Sequence, residues 1–247
     1  MPLIRVRRSG VVPAAVLRRR LTPDEHARLD RAAPADRAAV ASVLLLARRA
    51  VAEACGVEPD AVRVRRRCPR CGSAAHGVPV ADRADGGPVP HVSLTRRGDL
   101  VVVALSDDGP VGVDVEPVRR TEGDPRDGAG VRARGGDDLA RVVLAPGEPP
   151  ATGPHGLLRT WARTEAVLKA AGTGLAVDPR ALRVSDAAGR PEVRVVDPAA
   201  GAALAPAPGT RWWLTDLDAG ADHIAALAAL LPQGARPTVD DRASTLA

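Results

Sequence analysis

The stretch Gly109–Pro117, GPVGVDVEP, decides how the rest of the chain is read. Apolar and acidic residues alternate through Val113-Asp114-Val115-Glu116. Strand side chains have period two, so Asp114 and Glu116 share one face and Val113 and Val115 the other. Neighbouring carboxylates repel unless a cation or a shared proton lies between them. A second stretch, WARTEAVLKAAGTGL over Trp161–Leu175, supplies what is missing. At helical spacing, Glu165 and Lys169 lie on one face, with Trp161 one turn earlier. Glu165 beside Asp114 and Glu116 would make three hard oxygen donors, a set suited to Mg²⁺ and tolerant of Mn²⁺.

Of 35 Lys and Arg residues, Lys169 is the only lysine. Generic positive charge in this chain is therefore carried by arginine. An ammonium that can give up a proton differs from a guanidinium that cannot. Two readings of Lys169 stand: a residue kept for its chemistry, or the partner of Glu165 in an ordinary helix pair.

GVDVE followed by WxxxExxxKxxGxGL resembles the signature pair of the 4′-phosphopantetheinyl transferases, of the longer, surfactin-synthetase-activating type. The resemblance runs from about Pro34 to about Leu231. It implies an α+β fold that is pseudo-dimeric, two similar halves with the active site in the cleft between them. The halves would be residues 1–110 on the coenzyme A side and 111–231 carrying the metal and catalytic motifs. Residues 232–247 read as a disordered tail. The implied reaction moves 4′-phosphopantetheine from coenzyme A to a serine of an acyl or peptidyl carrier protein. By resemblance Asp114, Glu116 and Glu165 hold Mg²⁺, Glu165 is the base and Lys169 assists the leaving group. Arg37, Thr95, Arg96, Arg97, Asp114 and Lys169 would contact the coenzyme.

Three positions depart from the family pattern. Val78 stands where Gly-Lys-Pro or Gly-Arg-Pro supplies a phosphate contact. Thr95-Arg96-Arg97 stands where Ser-His-Ser is usual, and an arginine fork could serve the phosphate instead; two surface arginines in a turn is the other reading. Thr164 replaces a lysine before the glutamate. These departures keep open a relative that binds coenzyme A or a carrier without catalysis.

Composition narrows the classes further. With 247 residues, 45% of them hydrophobic, the chain can bury a substantial core. There is no apolar run long enough to span a membrane, and MPLIRVRRSG lacks a signal-peptide core, so a cytoplasmic protein is expected; a monomer is expected as well. The net charge of +5 favours anionic partners, including acidic carrier proteins. Phe and Tyr are absent and Trp161, Trp212 and Trp213 are the only aromatics of their kind, which argues against single-stranded nucleic acid.

Along the chain, Thr22-Pro23-Asp24-Glu25 is a capping box. A helix is expected from Asp36 to Cys55, buried through Val40, Val43, Leu44, Ala47, Val51 and Ala54 and stopped by Gly56. Its arginines, Arg37, Arg48 and Arg49, read as a solvated face. Ala61–Arg67 reads as an edge strand with arginines outward. Cys68-Pro69-Arg70-Cys71-Gly72 reads as half of a zinc knuckle with His76 as a third ligand; a second CxxC is absent, His91 would join only through folding, and free thiols in a tight turn are the alternative. His91–Thr95 and Leu100–Leu105 form a hairpin around a turn at 96–99. Residues 119–136 read as a mobile loop. Helices are expected at Asp137–Ala145 and Thr160–Ala171. Strands follow at Ala181–Ser185, Glu192–Val196, Arg211–Leu217 and His223–Leu230, with an Ala/Pro loop at Gly201–Gly209. HIAALAALL would be helix by propensity; the family resemblance makes it a strand.

Overall fold

The computed structural model describes residues 1–118, 136–185 and 189–246. In chain order the elements are β1 (Leu3–Gly10), α1 (Ala14–Leu17), α2 (Pro23–Asp30), α3 (Arg37–Cys55), β2 (Val62–Arg67), β3 (Val78–Arg83), β4 (His91–Arg97), β5 (Leu100–Ser106), β6 (Val111–Pro117), α4 (Gly136–Val143), α5 (Gly156–Ala170), β7 (Leu182–Ser185), β8 (Pro191–Val195), α6 (Pro198–Leu204), β9 (Thr210–Leu217), β10 (His223–Pro232) and β11 (Thr238–Ala243). They form two compact α+β units. One is Met1–Gly109 with the chain from Ala235 onward, the other Pro110–Gly234. The loop expected over 119–136 lies outside the described residues, apart from Gly136, which opens α4.

In the first unit the strand order is β11-β1-β5-β4, with β1 and β11 parallel and the other pairs antiparallel. The long helix α3 packs on this sheet, and Gly56 ends it in the left-handed conformation. Thr22 caps α2 through its hydroxyl while Glu25 reaches back to the Thr22 N–H, so the capping box forms in full. Glu25 is itself buried and accepts from Arg48 Nε at 3.1 Å. Arg48 also donates to Asp60 and to the Arg20 carbonyl. It is therefore a buried tie between α3 and α2 rather than part of a solvated face. Helical spacing alone could not show this, because α2 covers that side of α3.

The hairpin β4–β5 is tighter than expected. Arg96 pairs with Val101 and Arg97 with Leu100, which leaves Gly98 and Asp99 as a two-residue turn. Gly98 has φ of 57°, the conformation such turns require.

Residues 232–247, expected to be a disordered tail, are ordered where described. Thr238–Ala243 forms β11 alongside β1, and Leu246 lies in the core. Polar composition hid the strand, because its partners are charges on β1. Arg7, 4% exposed, donates to the Asp240 carboxylate and carbonyl, both at 3.0 Å, and to Glu53 on α3 at 2.8 Å. Removing the chain from Ala235 onward should cost about 3 kcal/mol, since it strips one edge of β1 and half of the partners of a buried guanidinium. A urea midpoint equal to that of the full chain would contradict this. The Arg7 hydrogen bond holds the Glu53 carboxyl below its usual range. That contribution is present above about pH 4.3 and fades as pH falls through the lowered folded value. Glu53 is half exposed, so the contribution is also weakened by salt.

In the second unit the sheet order is β6-β10-β9, antiparallel throughout, with α5 packed on β6 and β10. β10 is HIAALAALLP. Its alanines and leucines favour helix, but it is the central strand and nearly every residue is buried. Ile224, Ala226 and Ala228 form the face that meets α5. The two-stranded β7–β8 hairpin completes the unit. The expected Ala/Pro loop at 201–209 begins as the last turns of α6, capped by Asp197 with Pro198 at its first position.

Candidate active site

The site grows from the contact of β6 with α5. Gly112, Asp114 and Glu116 alternate along β6, opposite Ala228, Ala226 and Ile224 of β10. Gly112 marks the face that meets the helix: a Cβ there would lie 1.9 Å from the Ala166 carbonyl oxygen and 2.6 Å from the Ala170 nitrogen. A glycine inside a strand often marks such a backbone approach. The sequence showed the glycine, but not what it touches.

Asp114 and Glu116 are both buried, at 4% and 6% exposure. Lys169 Nζ lies 2.6 Å from Asp114 Oδ1 and donates to the Val113 carbonyl at 3.1 Å. Trp161 Nε1 donates to Glu116 Oε1 at 3.0 Å. Trp161 therefore touches the site through its indole N–H. Residues four apart on a helix drift by only about 40° around the axis. Trp161, Glu165 and Lys169 thus share one face, and Glu165 stands between the turn that holds Glu116 and the turn that holds Asp114. Its side chain is partly exposed. Chemically, two buried carboxylates with a third on the facing helix fit a hard divalent cation. Among the described residues, however, the one set of three ligand side chains with donor atoms all within 4.8 Å of one another is Cys68, Cys71 and His76.

Two buried ties that the sequence did not reveal stand in this unit, and the first of them anchors α5. Arg163, 2% exposed, grips Asp216 of β9 through two hydrogen bonds of 2.8 Å and reaches Ser185 Oγ at 2.9 Å. Glu148 accepts from the Ala145 and Val184 backbone N–H groups, and its burial pushes the carboxyl above the usual range. Thr164 is fully buried, and its hydroxyl oxygen has no hydrogen-bond partner among the described residues. C-terminally, Thr173 N bonds back to the Leu168 carbonyl and Gly172 N to that of Lys169, which closes the helix.

The expected coenzyme residues all lie in the first unit, apart from Asp114 and Lys169. Arg37 is exposed and donates to the Ala32 carbonyl. Arg96 pairs with Asp36, the residue just before α3, at 3.2 Å. Thr95 is buried, and Arg97 ends the strand. Because successive strand residues face opposite ways, Arg96 and Arg97 do not form a single two-armed fork. Sequence reading missed Arg66, which breaks the alternation of AVRVRRR. It is half-buried, donates to the Gly77 carbonyl at 2.7 Å, and is held below the usual guanidinium range by burial and by nearby Arg96. Arg28 is lowered in the same way, by burial and by Arg66. Cations crowded together like this favour an anion among them.

At the end of β2, the Cys68 thiol is drawn below its usual range by backbone N–H groups of Cys71 and Arg70. Among the described residues no helix is long and apolar enough to cross a membrane.

The class defined by these features is an α+β protein with a buried carboxylate pair on a strand, faced by a glutamate and a lysine on one helix. Residues 110–228, just under half of the chain, match the family described as the 4′-phosphopantetheinyl transferase superfamily. Both β6 and α5 fall inside the match. That match suggests an enzyme with activity of the general phosphopantetheinyl-transferase type. No curated protein matches the chain.

Proposed function

We propose that the protein transfers 4′-phosphopantetheine from coenzyme A to a serine hydroxyl of an apo acyl or peptidyl carrier protein, in the manner of the surfactin-synthetase-activating type. The observation that carries this reading is the Lys169–Asp114 contact, with Glu165 one turn away on the same helix face. In the reaction the serine oxygen forms a bond to the β-phosphorus of the coenzyme's pyrophosphate. The bridging P–O bond breaks, and its electron pair leaves on adenosine 3′,5′-bisphosphate. Glu165 accepts the serine proton, directly or through water, and Lys169 donates to the departing phosphate oxygen. Asp114 and the Val113 carbonyl hold the ammonium in place for that donation. Asp114, Glu116 and Glu165 would hold Mg²⁺, or Mn²⁺, whose charge when bound neutralises the phosphoryl oxygens. The net positive charge suits acidic carriers.

The test is to incubate the protein with coenzyme A, Mg²⁺ and a panel of apo-carriers and then weigh the carriers. The expected result is a gain of one phosphopantetheine, abolished by chelator and restored by Mg²⁺. Arg96 is read as the contact to the 3′-phosphate, exchanging Asp36 for the ligand. Arg96→Ala should then weaken coenzyme A binding by roughly one to two decades and leave 3′-dephospho-coenzyme A almost unchanged. Equal losses for both ligands would return Arg96 to a surface ion pair. A second reading, a binding protein without catalysis, is favoured by Val78, which carries no charge where a phosphate contact is usual. Coenzyme A binding with no mass gain on any carrier would select it.

A further inference from the structure

The connection from β2 to β3, residues 68–77, is long for a hairpin, yet its backbone is well tied. Cys68 N donates to the Ser73 carbonyl at 2.8 Å, and Gly72 N donates to the Cys68 carbonyl at 2.9 Å. Gly72 has φ of 72°, so the chain turns back sharply after the second cysteine. Gly77 has φ of 102°, and a Cβ on it would lie 2.3 Å from the Arg67 carbonyl oxygen and 2.4 Å from the Cys68 Cα. That close return over Cys68 places His76 against the CxxC turn. The donor atoms of Cys68, Cys71 and His76 all lie within 4.8 Å of one another, with Cys71 Sγ and His76 Nε2 3.5 Å apart.

We propose that Cys68, Cys71 and His76 bind a zinc ion through three protein ligands, with water at the fourth position, and that this ion pins the β2–β3 connection. Zn–S of 2.3 Å and Zn–N of 2.0–2.1 Å give a tetrahedral S···N edge of about 3.6 Å, close to the separation found. Two thiolates and an imidazole select zinc over a hard cation such as Mg²⁺. Cys68 is buried while Cys71 and His76 are exposed, so the fourth position faces solvent. The remaining cysteine, Cys55, belongs to another place, beside the Pro88 carbonyl. Binding releases the thiol protons to solvent, with no change of oxidation state.

The experiment uses the full chain, reduced and reconstituted with Zn²⁺ or with Co²⁺ as a spectroscopic probe. One metal per chain is expected, with the intense visible absorption of tetrahedral cobalt and a thiolate-to-cobalt band in the near ultraviolet. Cys71→Ser and His76→Ala should lose the tetrahedral spectrum, whereas Cys55→Ser should keep it. Wild-type stoichiometry decides the matter even where a variant fails to fold. Octahedral cobalt, no bound zinc, or a Cys68–Cys71 disulfide that persists under reduction would overturn the proposal. So would an unchanged spectrum in Cys71→Ser. None of these readouts depends on phosphopantetheine transfer.

Discussion

Gly112→Ala should destabilise the protein by about 3 kcal/mol and cut transfer by at least ~100-fold in whatever fraction stays folded. The added methyl would meet the Ala166 carbonyl oxygen and the Ala170 nitrogen, both backbone atoms of α5. A flexible side chain could move aside, but a helix backbone held by Arg163, Asp216 and the core cannot yield locally. The whole helix must therefore shift away from β6, taking Glu165 and Lys169 with it. Misplacing catalytic groups by about 1 Å is enough for a rate loss of that size. Gly201→Ala, in α6, is the control. Nothing lies within 4 Å of its Cβ position, and helix propensity gains up to about 1 kcal/mol. Urea titration and a single-turnover assay on both variants give the result. A Gly112→Ala protein with the parent's midpoint and rate would rule out the contact.

Lys169→Arg should fold with a thermal midpoint within a few degrees of the parent and lose transfer by about 10²–10⁴-fold. Arginine keeps the positive charge beside Asp114, but it does not release a proton at working pH and its planar head places its donors differently. Lys169→Met goes further, because Asp114 is buried and loses its ammonium at 2.6 Å. Removing one partner of a buried pair costs about 3 kcal/mol. The two variants thus separate charge from proton donation. If Lys169→Arg turns over as fast as the parent, Lys169 is an electrostatic partner of Asp114 and not an acid.

Much of the second unit was legible in the chain. The period-two pattern of GVDVE placed Asp114 and Glu116 on one strand face, and WxxxExxxK placed three side chains on one helix face. Both patterns are local, since they follow from backbone geometry within a few residues. The arginines were much less legible. Arg48 and Arg163 look like any other in a chain whose positive charge is almost all arginine, yet both are buried with full sets of partners. The sequence does not show that Arg66 is half-buried, and strand pairing draws Arg96 and Arg97 out of the turn that their neighbours suggest. Which face a charge occupies depends on the element packed over it, and that element lies far away in sequence.

The C-terminal stretch makes the same point from the other side. TVDDRA has the composition of a tail, and only the arginines of β1, some 230 positions away, turn it into a strand. Likewise HIAALAALL carries a helix-forming composition that the sheet overrides, because a central strand with both faces covered rewards burial more than propensity. The sequence by itself determined which residues could do chemistry: one lysine, an acidic strand, a glutamate a helical turn from that lysine, and a CxxC with a histidine close behind. Tertiary structure alone decided that Gly112 brings α5 close enough for Lys169 to reach Asp114, and that Gly77 folds His76 back onto the cysteines. Both are close approaches of backbone to backbone, set by the absence of a side chain, and a missing side chain leaves no pattern in the sequence to say what it makes room for.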